Sequence, residues 1–218
     1  MASYKAHMAF GVLTAVVWCI VALLLSIVSI WFIPFVFFAT IIGAFLPDLD
    51  SDTGFPLKIL LTVFSIVGGL IVAWITINSE NSSPLLIGGY ALISILFIYF
   101  GIGGVFKKLT HHRGIFHSVP AVLLSGLLTF SLMDYFEIEF KLKMTLSLGV
   151  GIGYLCHLIL DELYSIVNLG GIPFIPKKSI GTALKFYSKN WKITFGVYVL
   201  ISWLLFQNYN TIKLFLSL

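Results

Sequence analysis

Apolar runs of roughly 14 to 24 residues recur along this chain between short polar loops, and that pattern excludes a water-soluble globule. A soluble protein of 218 residues needs a polar outer face. Here 59% of residues are hydrophobic and 10% charged, against about a quarter charged in soluble proteins. In hydrocarbon every backbone N–H and C=O must be satisfied within the segment itself, so each run is expected to be a helix.

The runs cover 8–30, 33–46, 57–77, 84–106, 116–133, 144–167 and 193–206. They predict an all-α fold, a multi-pass transmembrane helical bundle of about seven spans, some short or partial. The second and seventh runs reach only about 21 Å at 1.5 Å per residue, against a hydrocarbon core of about 30 Å. Both are expected to be partial or packed within protein. Pro34, close after Trp31, predicts a tight hairpin over 31–34. The chain reads as one integral membrane domain, 1–218: a motif-bearing core over about 4–165, a basic loop over 168–192 and the last span. Lys5 precedes the first run as in a signal peptide, but no small-x-small site is followed by a polar mature start, so an uncleaved span is expected. Cys19 and Cys156 lie inside apolar runs and read as small buried hydrophobes.

Basic residues give the expected orientation. Lys141, Lys143 and Lys213 fall on one side, and the remaining ten of the thirteen Lys and Arg on the other. The N-terminus and basic loops are therefore expected in the cytoplasm. All five histidines, with Asp48, Asp50, Asp52, Asp161 and Glu162, fall at or near that same face, although none of them entered the count.

His157 and Asp161 stand four apart, which puts both on one helix face about 6 Å apart. One metal ion can bind both; the alternative is a His–Asp hydrogen bond that satisfies two polar groups in an apolar helix. His112 and His117 would lie about 140° apart on an unbroken helix. A turn at Gly114 is expected to leave His112 in the loop and His117 in the first turn of the fifth span. Arg113 suits bidentate binding of a phosphate or contact with a lipid headgroup. The run Pro47-Asp48-Leu49-Asp50-Ser51-Asp52 offers hard oxygen ligands at Asp48 and Asp50, which could equally cap a helix, while Asp52 reads as solvated. His7 precedes the first run, and Gly11 one turn on permits close helix approach. His111 and Glu162 read as neighbours of the ligands. The stretch 177–192, basic with interleaved aromatics, suits an amphipathic segment on anionic lipid or a positive-inside signal.

In order along the chain, His7-x-x-x-Gly11, Leu46-Pro47-Asp48-Leu49-Asp50, His112-Arg113-Gly114-Ile115-Phe116-His117-Ser118 and Gly153-Tyr154-x-x-His157-x-x-x-Asp161 resemble the YdjM-like bacterial membrane-bound metal-dependent hydrolases. The resemblance covers about residues 4–165, and departs where Ser51 follows Asp50 at a place the family often fills with histidine. It implies a hydrolase distantly similar to zinc-dependent phospholipase C. The expected metal ligands are His7, Asp48, Asp50, His112, His117, His157 and Asp161, with Asp50, Arg113 and His117 nearest the chemistry. The expected cofactor is one to three divalent ions, Zn²⁺ first, with Mn²⁺ or Mg²⁺ as alternatives. Membrane lipid and a lipid-borne or small phosphoester are the expected partners, and nucleic acid is not. Two other readings stand: a divalent-cation transporter, whose site belongs nearer the bilayer midplane, and a non-catalytic metal-binding membrane protein.

Overall fold

The computed structural model describes residues 3–50, 55–79, 83–105, 114–166, 181, 183–188 and 190–216. Among these are seven α-helices and no strand: α1 (Tyr4–Leu24), α2 (Ile33–Phe45), α3 (Phe55–Ile77), α4 (Pro84–Leu96), α5 (Val119–Asp134), α6 (Phe140–Ile166) and α7 (Trp191–Leu216). Five described stretches are long and apolar enough to cross a membrane: Tyr4–Leu24, Ile30–Leu49, Leu57–Ile77, Pro84–Val105 and Phe140–Ile166. The protein is an all-α, multi-pass helical bundle, as its apolar runs require.

Several boundaries differ from expectation. The first helix ends at Leu24, not Ile30, because Ser26 takes a left-handed φ of 51° and breaks it. The chain then re-enters through a 3₁₀ turn at Ile30–Phe32, so the reversal lies before Trp31 rather than over 31–34. A second 3₁₀ segment, Leu46–Asp50, continues α2, and the stretch Ile30–Leu49, 20 residues with the first 3₁₀ turn included, is long enough to cross. The last helix extends to Leu216, well beyond 206, but Gln207, Asn208 and Asn210 make it too polar to join the five apolar stretches. The fifth begins at Val119, not 116. Pro120 sits in its first turn, where its missing N–H costs nothing, and its ring would collide with the Phe116 carbonyl if the helix ran further back.

The contacts separate into two compact units. Met1–Pro47 with Arg113–Leu218 forms the first, and Asp48–His112 the second. Within the second, α3 packs on α4: Gly68 and Gly69 leave room for Ile98 and Ile95, whose side chains a Cβ would strike. Within the first, α6 is central, packed on α1, α2 and α5, while α7 packs on α5.

Small residues set the spacing in the first unit. On α6, Thr145, Gly149, Gly153, His157 and Asp161 recur every four residues and are all buried, forming one stripe. A Cβ on Gly153 would fall onto the Thr40 carbonyl of α2, and one on Gly43 of α2 onto the Val150 carbonyl of α6. The two backbones therefore touch, the packing that holds helices together where lipid removes the hydrophobic drive. Gly11 brings α1 equally close, since its Cβ would lie 2.8 Å from that of Ala44. Trp18 Nε1 donates to the Thr145 carbonyl at 3.1 Å and ties α1 to α6. Cys19 and Cys156 are free thiols, and Cys156 Sγ lies 2.7 Å from Thr14 Oγ1.

Candidate metal centre

Four helices of the first unit meet at one end of it, where α1, α6 and the residue ahead of the α5 cap supply polar side chains. Ser3 caps α1, its hydroxyl accepting from the Ala6 N–H, so His7 stands inside the helix's first turns rather than ahead of it. His117 precedes the N-cap Ser118 of α5, and so lies before that helix rather than in its first turn. Tyr154 holds the approach: its hydroxyl donates to the Phe116 carbonyl at 2.6 Å, the same carbonyl that Pro120 bars from helix. His157 and Asp161 lie one turn apart on the buried α6 stripe.

The fourth helix contributes backbone. His157 Nδ1 donates to the Ala44 carbonyl at 2.8 Å, near the C-terminus of α2 where carbonyls lack helical partners. Pro47, three residues on, has no N–H with which a 3₁₀ turn could claim that carbonyl. The proton is thereby placed on Nδ1, and the Nε2 lone pair of neutral His157 faces Asp161.

Around the carboxylate, His7 Nε2 lies 3.2 Å from Oδ1, while His117 Nε2 and His157 Nε2 lie 3.7 Å and 4.0 Å from Oδ2. The His7 and His157 rings stack at 3.7 Å and 9°, and His117 meets His157 edge-on at 5.9 Å. All four side chains are buried, none more than 7% exposed. The ligand atoms of His117, His157 and Asp161 lie within 4.8 Å of one another. A tetrahedral ion with bonds of about 2.0–2.1 Å holds its ligands about 3.3 Å apart, so contraction by roughly half an ångström at each ligand would close this set on Zn²⁺. An imidazole lone pair turned toward a carboxylate is two acceptors facing each other, an arrangement that a cation between them makes favourable. His7 Nδ1 is also buried and has no hydrogen-bond partner among the described residues. The donor set fits a divalent metal.

Asp48 lies half-buried on the 3₁₀ segment after α2, and the backbone of Asp50 ends that segment. Asp52, His111, His112 and Arg113 fall outside the described residues, as does the side chain of Asp50. Glu162 is neither ligand nor simply solvated: its carboxylate accepts from the backbone N–H groups of Gly181 and Ala183. Sequence reasoning missed Tyr154 and the Ala44 carbonyl as supports of the two histidines. The four-residue recurrence through Gly149, Gly153, His157 and Asp161 was a signal that would have placed the pair on a close-packed seam.

No curated protein and no solved structure matches the chain. The sequence profile described as YdjM inner membrane protein matches residues 1–218, the whole length. With its apolar helices and its motifs in order, the chain belongs to the YdjM inner membrane protein family and is a multi-pass membrane protein.

Proposed function

We propose that this protein is a membrane-embedded, metal-dependent hydrolase that acts at the cytoplasmic membrane surface on a phosphoester, carried by a phospholipid or another lipid-linked phosphate. The observation that carries the reading is the convergence of His117 and His157 on buried Asp161, with the His157 tautomer held by Ala44. His117, His157 and Asp161 would hold the ion, Zn²⁺ by donor type, and His7 stands within reach of the same carboxylate. Asp48, Asp50 and His112 are further ligands by their motifs. A divalent ion so held supplies Lewis acidity and a nucleophile at neutral pH.

The chain's own residues do the rest. The Ala44 carbonyl and the Tyr154 hydroxyl hold His157 and the His117 segment in place, so that little reorganisation is needed when charge develops. Arg113 is assigned to the phosphate oxygens, which its guanidinium can grip in a fork. Asp50 and His117 are assigned to the reacting centre as ligands nearest the chemistry. No serine or cysteine nucleophile is required. The choice of a phosphoester over an ester or amide rests on the distant similarity to zinc-dependent phospholipase C that the motifs imply.

The test begins with elemental analysis of detergent-purified wild type and His157→Ala. About one or more zinc per chain in wild type, lost in the variant, is the expected result. Hydrolysis of short-chain phosphatidylglycerol and of a soluble aryl phosphodiester is then measured before and after metal removal. A wild type that stays metal-free after zinc loading rejects the centre, and turnover that survives verified metal removal rejects the mechanism.

A further inference from the structure

The segment between α6 and α7 plays no part in the metal reading. We propose that residues 181 and 183–188 form a fastened strap that seats this end of the bundle in the headgroup layer of an anionic bilayer, with Phe186 and Tyr187 as the inserted side chains.

The strap is not a helix but is held from three helices. Glu162 on α6 uses both carboxylate oxygens, accepting from the Gly181 N–H and, at 3.3 Å, from the Ala183 N–H. Ahead of α5 and at its first residue, Ser118 forms a parallel bridge with Lys185, and the Val119 N–H donates to the Lys185 carbonyl at 2.9 Å. From α7, the Tyr198 hydroxyl donates to the Phe186 carbonyl at 3.0 Å, and Thr194 Oγ1 accepts from the Ser188 N–H at 3.0 Å. Gly181 takes a φ of +74°, which glycine adopts without steric cost, and this lets its N–H turn back to Glu162.

Although its backbone is tied down, the strap turns its large side chains outward. Phe186 is 60% and Tyr187 72% exposed, and Trp191, which opens α7, is 69% exposed. Fixing bare aromatic rings in water gains nothing, whereas aromatic residues at the ends of membrane helices favour the headgroup depth, Tyr and Trp with the ring in lipid and the polar edge in water. The place is right, since Glu162 is four residues from the end of the membrane helix α6 and Trp191 begins the next helix. The charge is right as well. Between Glu162 and the end of the first turn of α7 there is no Asp or Glu, while Lys177, Lys178, Lys185, Lys189 and Lys192 fall there, a balance that anionic headgroups attract.

The anchors are the chain neighbours of the buried cluster: Glu162 adjoins Asp161, and Ser118 adjoins His117. Whatever fixes the strap in the bilayer therefore fixes the cluster's depth. The strap's fastening and its outward aromatic rings do not depend on metal in the cluster.

The test uses the full chain in nanodiscs of phosphatidylethanolamine and phosphatidylglycerol, with a nitroxide on Tyr187→Cys and wild type labelled in parallel as the control for Cys19 and Cys156. Collision rates with oxygen and with a water-soluble nickel chelate read the depth. The expected result is strong oxygen access with the chelate several-fold suppressed, and weaker suppression when phosphatidylcholine replaces the anionic lipid. Adding Glu162→Ala should narrow the lineshape and raise chelate access several-fold, with Glu162→Gln, which keeps one acceptor oxygen, in between. Free chelate access at 187 overturns the proposal in favour of a water-exposed loop. Shielding from both reagents overturns it in favour of a protein contact, and a spectrum indifferent to Glu162→Ala removes the fastening. If Glu162→Ala does not fold, Tyr187→Cys alone decides the depth.

Discussion

The two ends of α6 both bury an ionisable group, and they neutralise its cost in opposite ways. Near Phe140, Lys143 is 4% exposed, pairs with Asp134 from the end of α5 and lies 4.1 Å from the Phe130 ring centroid. Cation, carboxylate and ring face balance one another there, and the pair serves as a clasp for the α5–α6 turn. At the other end, Asp161 is surrounded by imidazoles, and the one whose tautomer is settled by a backbone partner presents a lone pair. His7 Nε2 approaches the same carboxylate at 3.2 Å. The difference teaches that burial of charge by itself says little about function, and that an acceptor facing an acceptor says much more.

The comparison breaks most visibly in metal content. Asp161→Ala and His157→Ala should each remove essentially all bound zinc, while Lys143→Met leaves the stoichiometry of wild type, measured by elemental analysis. Equal zinc in Asp161→Ala and wild type would sink the distinction between the two ends. Next in size, Gly153→Leu should destabilise the fold by about 3 kcal/mol or more, read as a large fall in thermal midpoint in detergent, because its side chain must displace the Thr40 backbone. A midpoint within a degree or two of wild type would show that α2 and α6 are not in backbone contact.

The clasp itself predicts an asymmetry. Asp134→Asn leaves Lys143 buried without its counter-ion and should cost about 2–3 kcal/mol, whereas Lys143→Met leaves a half-exposed Asp134 that water can serve, at about 1 kcal/mol. Reversed magnitudes in denaturation midpoints would mean that the cation is not the costly partner. The smallest effect is expected of Tyr154→Phe, which removes one hydrogen bond to the segment carrying His117: about 1 kcal/mol in stability and about tenfold weaker zinc binding in a competition titration. Unchanged affinity would show that His117 does not depend on this support.

Much of this was legible in residue order, for reasons that can be named. Helices had to follow from apolar runs because lipid offers the backbone no other partner, and the third run, 57–77, matches α3 to within two residues. Their ends were less legible where one residue's dihedral decides, as at Ser26, or where helix continues into polar sequence, as beyond Phe206. In the site, the His157–Asp161 pair was readable from the helical repeat alone. The placement of His117 depended on where α5 begins, which Pro120 and the Tyr154 hydroxyl settle together. Glu162 looked like a bystander because its partners, Gly181 and Ala183, are distant in sequence and are backbone groups that no motif encodes.

Sequence alone determined that this chain is a helical membrane protein with His157 and Asp161 on one face of one helix, since hydrophobic run length and four-residue spacing are local properties. Only the tertiary structure decided that His7, His117, His157 and Asp161 meet, and which nitrogen of His157 carries the proton. Both follow from helix–helix distance: Gly43 and Gly153 let two backbones touch, and that contact brings the Ala44 carbonyl within reach of an imidazole 113 residues away.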